Sequence, residues 1–169
     1  MTLAVFYVAS ALIKPEPLSF PVTTQAELVT DSTGHEESRP TIDAGDETGW
    51  RFFSLRTGTL LEKPFALDWD LAFRRFHIAT NGGPGFAGQG AAGIQEAGKP
   101  VTLQQTSAHS TKSGFGKWYN YGFSSHLLTP KRLRYVVRAA DGTMYNLRIL
   151  RYYCPGPMPG CITIAYSKK

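Results

Sequence analysis

Nowhere in the sequence do Ala, Leu, Glu and Lys recur at helical spacing, which argues against an all-helical fold. Long hydrophobic runs are missing too. Leu3–Ile13 is apolar, but it falls short of the roughly 20 residues a membrane helix needs and has no basic residue at its start, so it is not read as a spanning segment. Cysteine is scarce. Cys154 and Cys161 are the only two, and neither C-x-x-C nor C-x-x-C-H occurs, so thiol-redox and covalent haem-attachment motifs are absent. Two thiolates without a paired histidine nearby also make a poor zinc site. Catalytic signatures are equally thin. The serines near His109 and His126 lack a nucleophile-elbow setting, and Asp68 and Asp70 flank Trp69 with no second acidic pair opposite. The chain is therefore read as non-enzymatic, and Asp70 as an ion-pair partner for Arg74 or Arg75.

What the sequence does contain is 12% aromatic residues and 17 glycines, a composition of strands and turns in 169 residues, enough for one core. Trp50–Leu55 reads as a strand, Asp68–Thr80 as a longer one closed by Asn81-Gly82-Gly83, and Trp118–Leu127 as another. Arg132–Tyr153 reads as a hairpin turning at Asp141-Gly142, and the alternation in Ile162–Tyr166 closes the sheet. The expected fold is all-β, mainly an antiparallel sheet or sandwich over residues 49–169, with an irregular arm over residues 1–48. Between the cysteines, Pro-Gly-Pro-Met-Pro-Gly turns the chain back on itself, so the sulfurs can meet. A disulfide there implies an oxidising compartment, periplasmic or cell-surface; two free thiols are the alternative.

Charge is divided unevenly. Met1–Glu47 holds eight acidic and two basic residues, whereas Thr48–Lys169 holds five acidic and sixteen basic. A basic body suits anionic partners or is simply a solvated surface. Pro15–Thr48 is too rich in Pro, Thr, Ser, Asp, Glu and Gly to order itself alone, so the body or a partner must hold it. Ala9-Ser10-Ala11 has the small-residue pattern of a signal-peptidase site; export would use that signal uncleaved, an upstream start, or another route.

Gly83-Pro84-Gly85-Phe86-Ala87-Gly88 fits G-x-G-x-x-G after a strand, yet Pro84 and the further glycines preclude the helix that would hold a pyrophosphate. Arg132, Arg134, Arg138, Arg148 and Arg151, interleaved with Tyr135, Tyr145 and Tyr152, read as a charged sheet face over aromatic core residues rather than a nucleic-acid platform. Among the histidines, His35 is solvated in the acidic arm and His77 is a hydrogen-bonded structural residue within a strand. His109 and His126 lie on segments a loop apart, where two neutral imidazoles could face one pocket and ligate a haem iron. Aromatics such as Trp118 and Tyr121 would pack the porphyrin, and Lys or Arg would meet its propionates.

Several segments together resemble a known family. They are Thr41-Ile42-Asp43-Ala44, Trp50–Leu55, Asp68-Trp69-Asp70-Leu71-Ala72-Phe73-Arg74-Arg75-Phe76 leading to Thr80-Asn81-Gly82-Gly83, Trp118-Tyr119-Asn120-Tyr121 and Tyr135–Gly142. In order and kind these are similar to the HmuY-like haem-binding proteins over roughly Thr41 to Tyr166. The resemblance implies an all-β, extracytoplasmic carrier that holds haem between axial side chains, with His126 and His109 near the ligand-bearing segments. Met144 and Met158 are further sulfur donors, though better suited to packing. The rival expectation is a non-catalytic accessory subunit of an extracytoplasmic or membrane-bound electron-transfer or photosynthetic complex, anchored through Met1–Thr48. Haem, or such an outer-membrane or membrane assembly, is thus the expected partner, with no nucleic acid.

Overall fold

The structure, a computed structural model, describes residues 19–82, 87–105 and 115–169. The apolar Leu3–Ile13 stretch, the Ala9–Ala11 site, most of the G-x-G-x-x-G segment and His109 lie outside them. Among the described residues there is no helix. Thirteen strands are present: β1 (Glu27–Thr30), β2 (Glu36–Arg39), β3 (Thr41–Asp43), β4 (Arg51–Ser54), β5 (Thr59–Leu61), β6 (Leu71–Arg74), β7 (His77–Thr80), β8 (Ala91–Ile94), β9 (Tyr119–Tyr121), β10 (Leu128–Pro130), β11 (Tyr135–Arg138), β12 (Met144–Tyr153) and β13 (Pro159–Lys168). They form a seven-stranded sheet in the order β1-β2-β13-β12-β11-β8 with β3 also on β13, a four-stranded sheet β5-β4-β6-β7, and the separate β9–β10 hairpin. Every pairing is antiparallel.

Alternation builds the core. On β12, Tyr145, Leu147 and Ile149 point inward while Asn146 and Arg148 do not, and on β13 Ile162, Ile164 and Tyr166 do the same. These residues meet Phe53, Leu71, Phe73 and Ile78 from the smaller sheet in one cluster, with Phe53 and Tyr166 edge-to-face at 6.0 Å. The Asp141-Gly142 turn joins β11 to β12 as expected, with Gly142 at φ +90°. At the far end of β12 and β13, Cys154 and Cys161 form a disulfide.

Asp68–Thr80 is not one strand. Arg74 pairs with His77, so Arg75 and Phe76 make a two-residue turn, and Arg75 adopts φ +52°. The turn lacks the Gly or Asn that usually announces one. Tertiary contacts hold it instead: the Arg75 N–H donates to the Ala44 carbonyl at 2.6 Å and its guanidinium to the Gly45 carbonyl. Trp118–Leu127 is also broken, since β9 ends at Tyr121 and residues 122–127 turn back into β10.

The acidic stretch runs along the body. β2 and β3 pair with β13, Thr41 and Thr163 share a buried hydroxyl contact at 2.9 Å, and Ala26 donates to the Gly58 carbonyl beside β5. Glu37, 7% exposed, binds Arg39 at 2.9 Å and also Arg148.

Asp70 does not pair with Arg74 or Arg75. It is buried, accepting the Leu55 N–H at 2.7 Å and the Ala140 N–H at 2.9 Å. Arg74 lies over the Trp50 ring at 4.6 Å instead.

Candidate functional site

The β9–β10 hairpin stands apart from both sheets, and three backbone or ring groups fix it. The Trp118 indole N–H donates to the Phe76 carbonyl at 2.9 Å, the Lys131 N–H to the Trp118 carbonyl, and the Leu128 N–H to the Tyr153 hydroxyl at 2.8 Å. Trp118 is thereby a core residue, 2% exposed, and it supports the hairpin from beneath rather than lining its surface.

Beyond this support the hairpin opens to solvent. The turn closes with the Gly122 N–H on the Leu127 carbonyl and the His126 N–H on the Gly122 carbonyl, which puts His126 in the left-handed region at φ +56°. His126 is exposed, and its Nδ1 is hydrogen-bonded to the Tyr121 hydroxyl. In the tautomer where Nδ1–H donates to the Tyr121 oxygen, one of the two this contact allows, Nε2 is the basic nitrogen, the arrangement that imidazole metal ligands use. Tyr121 and Phe123 are 49% and 86% exposed, so the imidazole stands among uncovered rings. The donor chemistry fits a haem iron approached from the solvent side.

His109 belongs to residues 106–114, outside the described part. Both flanks of that segment, Gln104 and Gly116, line a shallow depression of about 400 Å³ together with Gly93, Ile94 and the Glu96–Lys99 pair. His35 is in an exposed turn, its Nδ1 against the Thr33 hydroxyl.

His77 was expected to be a hydrogen-bonded residue inside a strand, but it opens β7, exposed, and stacks on Phe76 with centroids 4.4 Å apart. Partial desolvation, helped by Arg74, lowers its pKa from the usual value. Sequence reasoning missed it because the Arg75-Phe76 turn carries no turn signal.

Tyr135, Tyr145 and Tyr152 are buried in the core, so their rings are not available for surface stacking. Met158 is exposed within the disulfide loop and Met144 half-buried on β12. Asp43 approaches Cys154 and Cys161, but the two sulfurs are bonded to each other and offer no thiolate. The glycines around Asn81 serve close backbone approach: a Cβ on Gly82 would lie 2.1 Å from the Gly90 carbonyl oxygen.

Residues 46–109 match the family model of the HmuY protein. Over those residues the chain is similar to the HmuY family. No curated protein matches the sequence. The HmuY-like fold recurs in solved structures. A Bacteroides vulgatus protein described as HmuY-like and haem-binding is 21% identical with a TM-score of 0.61, over 85% of this chain and 97% of that one. A Bacteroides fragilis protein described as a lipoprotein is 20% identical with a TM-score of 0.59, over 84% and 93%. An apo HmuY analogue of Tannerella forsythia is 17% identical with a TM-score of 0.56, over 85% and 97%. At these identities the likeness establishes the fold alone.

Proposed function

We propose that this HmuY-like protein binds haem and carries it outside the cytoplasm without chemically altering it. The observation that carries the reading is the Tyr121–His126 pair, a solvent-facing imidazole whose second nitrogen is already held by a phenol. In this reading His126 would hold the iron through Nε2 and His109 would supply the other ligand, while Tyr121 orients His126 and Trp118 keeps the hairpin in place from the core. Binding belongs to residues 49–169, with the described residues 19–48 of the preceding stretch laid along them. The similarity of residues 46–109 to the HmuY family, and the haem-binding description of the Bacteroides vulgatus protein, favour this ligand.

An extracytoplasmic site of action draws support from the Cys154–Cys161 disulfide, which persists in oxidising compartments, and from the lipoprotein description of one structural neighbour. Among the described residues no helix is long and apolar enough to cross a membrane.

Adding haem to the purified protein tests the reading. A sharpened, shifted Soret band that His126→Ala abolishes and His109→Ala weakens is the expected result; a spectrum identical to free haem would refute it.

A further inference from the structure

The inner face of the β9–β10 hairpin continues past the edge of the core. Tyr119 and Tyr121, two apart on β9, share one face and lie opposite Pro130 and Leu128 on β10. Tyr119 and Leu128 pack against the core, whereas Tyr121 is half open to solvent. The face therefore passes from closed to uncovered along a few residues.

At its inner end stands the β6–β7 corner. Phe76, itself partly exposed, meets Tyr119 edge-to-face at 5.7 Å, and the exposed His77 ring stacks on Phe76. The indole bond from Trp118 to the Phe76 carbonyl fixes the corner to the hairpin. Lys117 holds its ammonium 5.6 Å from the centre of the Tyr119 ring. Arg75 and His126, the two non-glycine residues with left-handed φ among the described residues, sit at the two turns that bracket this face. Such conformations persist where surrounding structure enforces them, and they gather at ligand sites.

We propose that the Phe76–His77 corner is the second wall of the ligand site. A flat aromatic ligand anchored at His126 extends along Tyr121 and Tyr119 to Phe76 and His77, with Lys117 meeting an acidic group on its rim. This rests on the haem reading and deepens it by assigning the residues that hold the ligand's body apart from its iron. Phe76 and Tyr119 offer edge-to-face and stacking contacts to a π-system. His77, its pKa lowered, offers an uncharged ring that stacks without stripping water from a cation.

The test is a haem titration of the full chain, reading the Soret position and the dissociation constant separately. Truncating Phe76 leaves its carbonyl, and so the Trp118 bond, in place. The double variant Phe76→Ala/His77→Ala should keep the wild-type Soret position and Tm but bind about tenfold more weakly. Phe65→Ala, at an exposed ring on the β5–β6 connection, should bind as wild type. An unchanged constant in the double variant, or equal weakening in Phe65→Ala, overturns the second wall while leaving the haem reading intact. If wild-type protein gives no Soret shift, the haem reading fails and the second wall falls with it.

Discussion

The carboxylate of Asp70 accepts the backbone N–H of Ala140, 70 residues away, while its other oxygen takes the N–H of Leu55. One side chain just before β6 thus fastens the end of β4 to the β11–β12 turn, and through it the smaller sheet to the larger. Asp70→Ala leaves two buried N–H groups without an acceptor and should cost about 2–5 kcal/mol. Asp70→Asn retains one acceptor and should cost less. Chemical denaturation of the three proteins gives the order; equal stability would mean the tie contributes nothing.

Burial raises the pKa of Asp70 more than its two hydrogen bonds lower it. A carboxyl whose folded pKa lies above its unfolded one costs stability when ionised, and the cost is relieved as the pH falls through the folded value toward about 4. The exposed carboxylates Asp31, held down to about 2 by Thr33 and His35, and Asp46 and Asp141, lowered mainly by the Thr48 and Thr143 N–H groups, behave oppositely. Their contributions are complete above about pH 4 and vanish as acid protonates them. Stability measured against pH should therefore rise slightly on mild acidification and then fall. In Asp70→Asn the rise should disappear and the fall remain.

Glu37 faces two guanidiniums in a nearly closed site. Glu37→Ala strips both arginines of their anion and should cost about 2–4 kcal/mol. Arg148→Ala, at a side chain 40% exposed, should cost about 1 kcal/mol or less. A double-mutant cycle that returned no coupling would contradict the pairing.

Replacing both cysteines with serine opens a loop of seven-residue separation and should cost about 2.5 kcal/mol, with a matching loss on reduction of the wild type. Haem titration of both forms is a useful companion measurement. Tyr153, next to Cys154, holds the Leu128 N–H of the β9–β10 hairpin, so affinity should weaken modestly as stability drops; unchanged affinity would mean that β12 keeps Tyr153 in place without the disulfide.

Tyr121→Phe keeps the ring and deletes the hydroxyl that holds His126. Haem affinity should fall about 10-fold to 100-fold, with the Soret band broadened as the imidazole reorients. Unchanged affinity would mean that the phenol does not orient the ligand.

Much of this architecture is legible in the sequence, and the exceptions have physical causes. The β11–β12 hairpin, the closing strand and the disulfide followed from local chemistry: Asp141-Gly142, alternating side chains, and prolines and glycines between two cysteines. The β6–β7 turn did not, because Arg75 is driven to positive φ by contacts with Ala44 and Gly45, some thirty residues away, whereas the β9–β10 turn carries Gly122 and Ser124-Ser125 as local signals that the strand-like Trp118-Tyr119-Asn120-Tyr121 run overshadowed. The unannounced β6–β7 turn hid the exposure of Phe76 and His77. Asp70 was misread for a related reason. Local sequence offered it two arginines, whereas burial supplied two amide donors from segments 15 and 70 residues away. At the site, Tyr121 and His126 were both singled out, but their hydrogen bond depends on a turn that looked like continuous strand.

The pairing of β2 and β3 with β13 bears on shortened versions of the chain. Cutting before residue 49 would leave one whole margin of β13 with its amides and carbonyls unanswered, next to Ile162 and Ile164. Such a margin recruits the same margin of another molecule. A trimmed protein that clumps would therefore report a lost seam, and its failure to take up ligand would say nothing about where the ligand sits.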